Sequence, residues 1–429
     1  MLRLLSRSLF IILFCTCISI TSASAYAILA HEAIVDACWT KDIKPMLKER
    51  YPMATDSEIL VAHSYVYGGA IIPDMGYLPM GSATFSDLMH YVRSGYMIQN
   101  LLSEAQNLNE YAFALGALSH YLADEYGHSR ATNRTVPTIY KDLRKRYGNY
   151  ITYGDDHVSH SRIEFSYDVL QIARGNYNTQ SYHDFIGFNV SKPVLERAFL
   201  KTYGEKLDDV FGNFESSVST FRWGVKNLMP TLVKKTWKSE KDSILKRQPG
   251  MTEKKFKYKM KKREFHQEFG KDEEKPGFWA NTLSWIINAL PKIGPLKTLK
   301  YVDPGKEGEK FFIHSFDTIL VCYQQDLQAV RNHTLYLKDI DFDTGRPTQI
   351  GEYALADQTY ADWLISLQKK NFQYLNPALK KHILNYYNDP QNIPASQKFP
   401  INCDEVETAL AALKNAPTVT DTAKVAEGR

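Results

Sequence analysis

The chain has 429 residues, 44% of them hydrophobic, with a mean hydropathy of −0.36. This fits one large globular domain or two ordinary ones around a proper core, and five cysteines are too few for a disulfide-built scaffold. The net charge of +4 suits an anionic ligand without demanding one.

The first residues read as a targeting segment. Arg3 and Arg7 precede a short apolar run, Leu9 to Ile20, and small residues follow at Thr21 to Ala25. The run is too short to span a bilayer. An A-x-A pattern at Ala23 to Ala25 predicts a signal peptide over 1–25 with cleavage before Tyr26, and a second at Ala25 to Ala27 would place the cut before Ile28. The expected location is therefore secreted or periplasmic. The mature chain keeps Cys38, Cys322 and Cys403, and their spacing leaves any pairing open.

Helical periodicity dominates the mature chain. Apolar residues recur at three- and four-residue spacing over Ile34 to Leu47, Ser57 to Tyr67, Phe85 to Leu102, Glu110 to Glu125, His157 to Ala173 and Val194 to Phe221. Neither a strand alternation nor an internal repeat is found. Gly68, Gly69, Pro73, Gly76, Pro79 and Gly81 predict a long irregular loop after the second helix. The segment 231–270 is strongly basic, reading as a solvated helix or linker, or as a surface for phosphate-rich ligands. Phe278 to Leu296 is apolar but interrupted, and reads as core. The remaining C-terminal region, 271–416, continues helical with no evident role, and 417–429 reads as a disordered tail.

Eight of the twelve histidines lie between His31 and His183, several with a carboxylate at helical spacing. His120 and Asp124 are four apart, so a helix places both on one face, and His128 is four further on. His160 and Glu164 repeat the pattern. His31 lies near the mature N-terminus, Asp74 in the expected loop and His90 in the next helix. Imidazole and carboxylate are the zinc ligands available when thiolate is not used. Pairs converging in a bundle can hold more than one ion. His63, His183, His266, His314, His333 and His382 lack such company and read as structural. The acidic run Asp339-Ile340-Asp341-Phe342-Asp343-Thr344-Gly345 hints at a calcium loop, but Thr344 stands where the loop glycine belongs and Ile350 where its last glutamate belongs; a plain acidic turn is the better reading.

The order Tyr26, His31, Asp74, His90, His120, Asp124, His128, His160, Glu164 resembles the zinc-dependent phospholipase C family, which is related to fungal single-strand nucleases and to the N-terminal domain of glycosylphosphatidylinositol-specific phospholipase D. The resemblance covers roughly residues 26 to 170. It implies an all-α helical bundle over 26–230, extended here by C-terminal helices, and three zinc ions. Asp74, His90, His120 and Asp124 would hold the first ion. His128, His160 and Glu164 would hold the second. His31, a bridging Asp124, and the amino and carbonyl groups of Tyr26 would hold the third. The family's Trp-Gly start is Tyr-Ala here, and the Asp124 to His128 interval is shorter than in secreted bacterial members.

The activity implied is hydrolysis of phospholipid phosphate esters by metal-activated water, with Asp74 as proton acceptor and peripheral contact with a membrane. A single-strand nuclease acting on nucleic acid and a non-catalytic zinc-stabilised scaffold are the alternatives. The oligomeric state is not legible.

Overall fold

A computed structural model describes residues 28–77, 81–174, 188–223, 301–387 and 403–419, with a few positions between 237 and 252. Among them there is no strand, only an isolated bridge between Ile340 and Pro347. The fold is all-α, as expected. No helix among the described residues is long and apolar enough to cross a membrane.

The chain begins in α1 (Ile28–Cys38), which a π-turn (Trp39–Ile43) carries into α2 (Lys44–Arg50). Next comes α3 (Asp56–Ile71), opened by a capping box: Glu58 N–H donates to Thr55 Oγ1 and the Glu58 carboxylate accepts from Thr55 N–H at 2.8 Å. A 3-10 turn (Ile72–Tyr77) follows directly. The expected irregular loop is thus corrected: Gly68 and Gly69 lie inside α3. They are helical because another backbone presses on them. A Cβ on Gly69 would sit 1.9 Å from Phe113 O, and one on Gly116 would sit 1.9 Å from Val66 O. Glycine here lets two helices approach closely and does not mark a turn.

Two predicted long helices are broken. The first becomes α4 (Ala83–Tyr91) and α5 (Ser94–Glu104), separated by Arg93 in the left-handed region at φ 51°. That backbone is held by the arginine's own side chain, whose Nη1 donates to Thr202 O at 2.6 Å and whose guanidinium lies over the Tyr96 ring. Then come α6 (Leu108–Gly127), a π-turn (His128–Thr132), α7 (Asn133–Ile139), α8 (Lys141–Tyr147) and α9 (His157–Arg174). The second long prediction divides into α10 (Lys192–Tyr203), α11 (Leu207–Val210) and α12 (Phe214–Trp223), where Gly204 turns the chain at φ 66°. The C-terminal region supplies α13 (Gly305–Arg331), α14 (Ala354–Lys369), α15 (Pro377–Tyr386) and α16 (Cys403–Asn415).

The centre of the molecule is α6, buried on every face from Glu110 to Asp124. A helix enclosed all round has no solvated stripe to place. It packs against α1, α3, α5 and α13. The C-terminal helices share this core: Tyr323 OH on α13 donates to Leu115 O at 2.8 Å, and Trp363 Nε1 on α14 donates to Tyr203 O at 2.9 Å. Cys38 and Cys322 carry free thiols, and burial pushes the Cys38 thiol up to about 12. Val419 N–H donates to Leu375 O at 2.8 Å, which ties down the first residues of the expected tail. The signal segment 1–25, Tyr26, nearly all of 231–270, the run 278–296, the side chain of Cys403 and residues 420–429 lie outside the described residues.

Glu125 on α6 and Asp326 on α13 are two partly buried carboxyls. Burial raises Asp326 from its usual 3.8 to about 6. Burial, reinforced by Asp326, raises Glu125 from 4.5 to about 7. Between the unfolded and folded values the native chain keeps protons that the unfolded chain has lost, so stability falls as pH rises from about 4 to about 7. Asp326→Asn should flatten that fall and gain about 1–3 kcal/mol at pH 8, less at pH 5. Urea unfolding at the two pH values checks it, and an unchanged pH slope would refute it.

Candidate metal centre

Each expected ligand within the described residues comes from a different local device. Helical spacing sets His120 and Asp124 on one face of α6. His128 opens the π-turn that ends this helix, a widening common at functional positions. On α9, His160 and Glu164 repeat the i,i+4 pair. His31 comes from α1, Asp74 from the 3-10 turn and His90 from α4. All eight side chains are at most 3% exposed.

The structure brings these eight together. One group is Asp74, His90 and His120, another is His31, His120 and Asp124, and a third is His128, His160 and Glu164. Within each, the candidate ligand atoms lie within 4.8 Å of one another. Asp124 joins the groups. Its Oδ2 is 3.0 Å from His120 Nε2 and 3.4 Å from His90 Nε2; its Oδ1 is 3.5 Å from His31 Nε2 and 4.0 Å from His128 Nε2. Asp74 lies 3.3 Å from His90 and 3.8 Å from His31. His160 Nε2 is 2.7 Å from Glu164 Oε1. Tyr26 lies outside the described residues, but Leu29 N–H donates to Asp168 Oδ2 at 3.0 Å, which fixes the chain two residues before His31 against α9.

The family model described as zinc dependent phospholipase C matches residues 30–213, a span that holds all eight of these side chains. Over that span the chain is similar to the family. The family's chemistry is zinc-dependent hydrolysis of phosphate esters. No curated protein and no solved structure matches the chain.

The donor set fits a zinc phospholipase C centre. Both oxygens of Asp74, Asp124 and Glu164, together with His120 Nε2 and His128 Nε2, are buried without a hydrogen bond. Orphaned carboxylates at such depth are costly unless a cation completes them. The imidazoles are also held for the purpose. His90 Nδ1 lies 2.7 Å from Ser86 O and His120 Nδ1 lies 2.8 Å from Ala70 O, so each carbonyl takes the Nδ1 proton and leaves Nε2 facing inward. Electrostatics follow the burial. Desolvation drives the His31 and His160 imidazoles well below their usual value and lifts the Glu164 carboxyl well above its own. Burial also raises Asp74. It works the same way on Asp124, but His120, His90 and His128 outweigh it and hold that carboxyl well below the usual range.

The histidines read as structural lie elsewhere where they are described. His63 stacks on Trp39 and faces Asp36, His382 meets Tyr360 OH, and His314 and His333 are exposed. His183 and His266 lie outside the described residues. One contribution is not foreseen from the sequence. The acidic run 339–345 is buried against the centre: Phe342 packs on the rings of His90 and His120, and Asp343 faces His128. Its only signal in the sequence is the spacing of its aspartates.

Proposed function

We propose that this chain is an exported zinc-dependent phosphodiesterase that hydrolyses phospholipid phosphate esters in the manner of a phospholipase C. One observation supports this above all: three imidazole and carboxylate groups meet around Asp124 inside a helical core, with no thiolate among them. The His128, His160 and Glu164 group has three side chains, the number that suits a catalytic site with an open position better than a closed structural one.

In this reading the first ion would be held by Asp74, His90, His120 and Asp124, and the second by His128, His160 and Glu164. The third would be held by His31 and Asp124, with Tyr26 joining them if cleavage frees its amino group. Zinc in these positions neutralises phosphate charge and lowers the pKa of water. The protein's own part is to hold and to move a proton. Ser86 O and Ala70 O fix two imidazoles. Asp74 would accept the proton; its Oδ1 lies 3.3 Å from His90 Nε2 and its Oδ2 3.8 Å from His31 Nε2.

The test is the zinc-loaded mature chain on phosphatidylcholine vesicles and on single-stranded DNA. Release of phosphocholine with intact DNA is expected. Cleavage of DNA alone would make the protein a nuclease, and full zinc content without hydrolysis of either would leave a zinc-stabilised scaffold. Asp74→Asn keeps an oxygen ligand but loses the base. It should keep its zinc while kcat falls about 10²- to 10⁴-fold. Unchanged kcat would remove Asp74 from this role.

A further inference from the structure

The turn after α13 is built to dock. Within it, Thr344 N–H donates to Asp341 Oδ1 at 2.7 Å and Gly345 N–H donates to Asp341 O at 2.9 Å, with Gly345 at φ 69°. Asp341 is therefore consumed inside the turn. The turn then binds the core. Ile340 N–H donates to Ser94 Oγ at 3.0 Å, Tyr121 OH donates to Lys338 O at 2.9 Å, and Phe342 N–H donates to His90 O at 3.1 Å. Residue 345 must be small as well as left-handed, because a Cβ there would meet Glu125 O at 2.6 Å.

This scaffold presents Asp343, 2% exposed, to the centre. Its backbone carbonyl accepts from Asn133 Nδ2 at 2.6 Å. Its Oδ2 accepts from Tyr91 OH at 3.0 Å and from Tyr353 OH. Those donors leave Oδ1 directed at His128 Nδ1, 3.6 Å away. The opposite nitrogen, Nε2, faces Glu164 Oε1 at 3.8 Å and Asp124 Oδ1 at 4.0 Å. His160 Nε2 also approaches His128 Nδ1, at 3.0 Å, but that nitrogen lies closer still to Glu164 within the same group.

Compared with its neighbours, His128 repeats a pattern with one change. His90 and His120 have an oxygen at Nδ1 and turn Nε2 inward, and in both cases the oxygen is a backbone carbonyl. At His128 the oxygen beside Nδ1 is a carboxylate, 3.6 Å away as an ion-pair neighbour and not a hydrogen-bond partner. A carboxylate behind a ligand imidazole fixes its tautomer and raises its basicity, and the hydrogen bond between them strengthens when the ring carries a cation.

We propose that Asp343 is a positioning residue of the second metal site: with an ion on His128 Nε2, the carboxylate 3.6 Å from Nδ1 closes to accept the Nδ1 proton and fixes the ring. The C-terminal region, beyond the family match at residue 213, thereby completes the centre. This role for Asp343 rests on zinc being the occupant of the centre.

Zinc and cobalt titrations of the full mature chain, with the visible absorption of the cobalt form, test it. Asp343→Ala should weaken one of the bound ions about 10- to 100-fold and change the cobalt spectrum of that ion alone. Asp343→Asn, whose amide oxygen still faces Nδ1, should lose less. His63→Gln, a buried change outside the centre, should titrate like the parent chain. Parental affinity and spectrum in Asp343→Ala would overturn the proposal. An equal loss in His63→Gln would also overturn it, since that is the mark of a general packing effect. If the alanine variant does not fold, the asparagine variant decides, and unchanged affinity there overturns the proposal. A parent chain that binds no zinc would instead overturn the zinc reading.

Discussion

Asp124→Asn is expected to cost the chain more than one ion and nearly all of its hydrolytic activity. The carboxylate is wholly buried and lies within 4.0 Å of four imidazoles, from α1, α4, α6 and the π-turn. No other side chain in the centre reaches so many. The amide keeps the shape and one oxygen but removes the charge that balances several cations. Loss of several kcal/mol of metal-based stabilisation corresponds to a fall in kcat/KM on the order of 10³-fold or more. Metal analysis of the purified variant, alongside the hydrolysis assay, measures both. A useful contrast is His63→Gln, which alters a buried histidine stacked on Trp39 outside the centre. It should lower stability and leave the metal content intact. An Asp124→Asn chain with a full complement of zinc would end the case for Asp124 as the shared ligand.

Much of the centre could be read in the sequence because helical geometry is local. His120 with Asp124, and His160 with Glu164, needed only the i,i+4 rule. His31, Asp74 and His90 carry no local signal and became legible only through the ordered resemblance. The fold class followed from periodicity, but the helix ends did not. Arg93 breaks a predicted helix through a left-handed backbone secured by a bond to Thr202, more than a hundred residues away. Gly68 and Gly69 looked like turn residues, yet they lie in a helix against which the backbones of Asn189 and Phe113 press. The same reason hid Asp343. A buried acidic turn and a solvated one have the same composition. They differ in the tyrosines and the histidine that meet the turn, and those come from α4, the π-turn and the residues just before α14.

Chelation should destabilise the whole molecule, not merely silence it. Asp74, Asp124 and Glu164 are at most 3% exposed and converge with five imidazoles on the central helix and its neighbours. Without cations, these carboxylates share one desolvated space, and part of the cost is met by protonation that folding must then support. With zinc, the same groups become a cross-link between α1, the 3-10 turn, α4, α6 and α9. Ions present at about a thousand times their dissociation constant contribute about 4 kcal/mol. For a chain of this size, that corresponds to a Tm shift of roughly 5 °C. Calorimetry before and after chelation, with zinc added back, gives the result. The shift should shrink in Asp124→Asn, which has less metal to lose, and persist in His63→Gln. A parent chain whose Tm is indifferent to chelation would mean that the buried carboxylates are accommodated by protons alone, and the centre would then not be holding metal under those conditions.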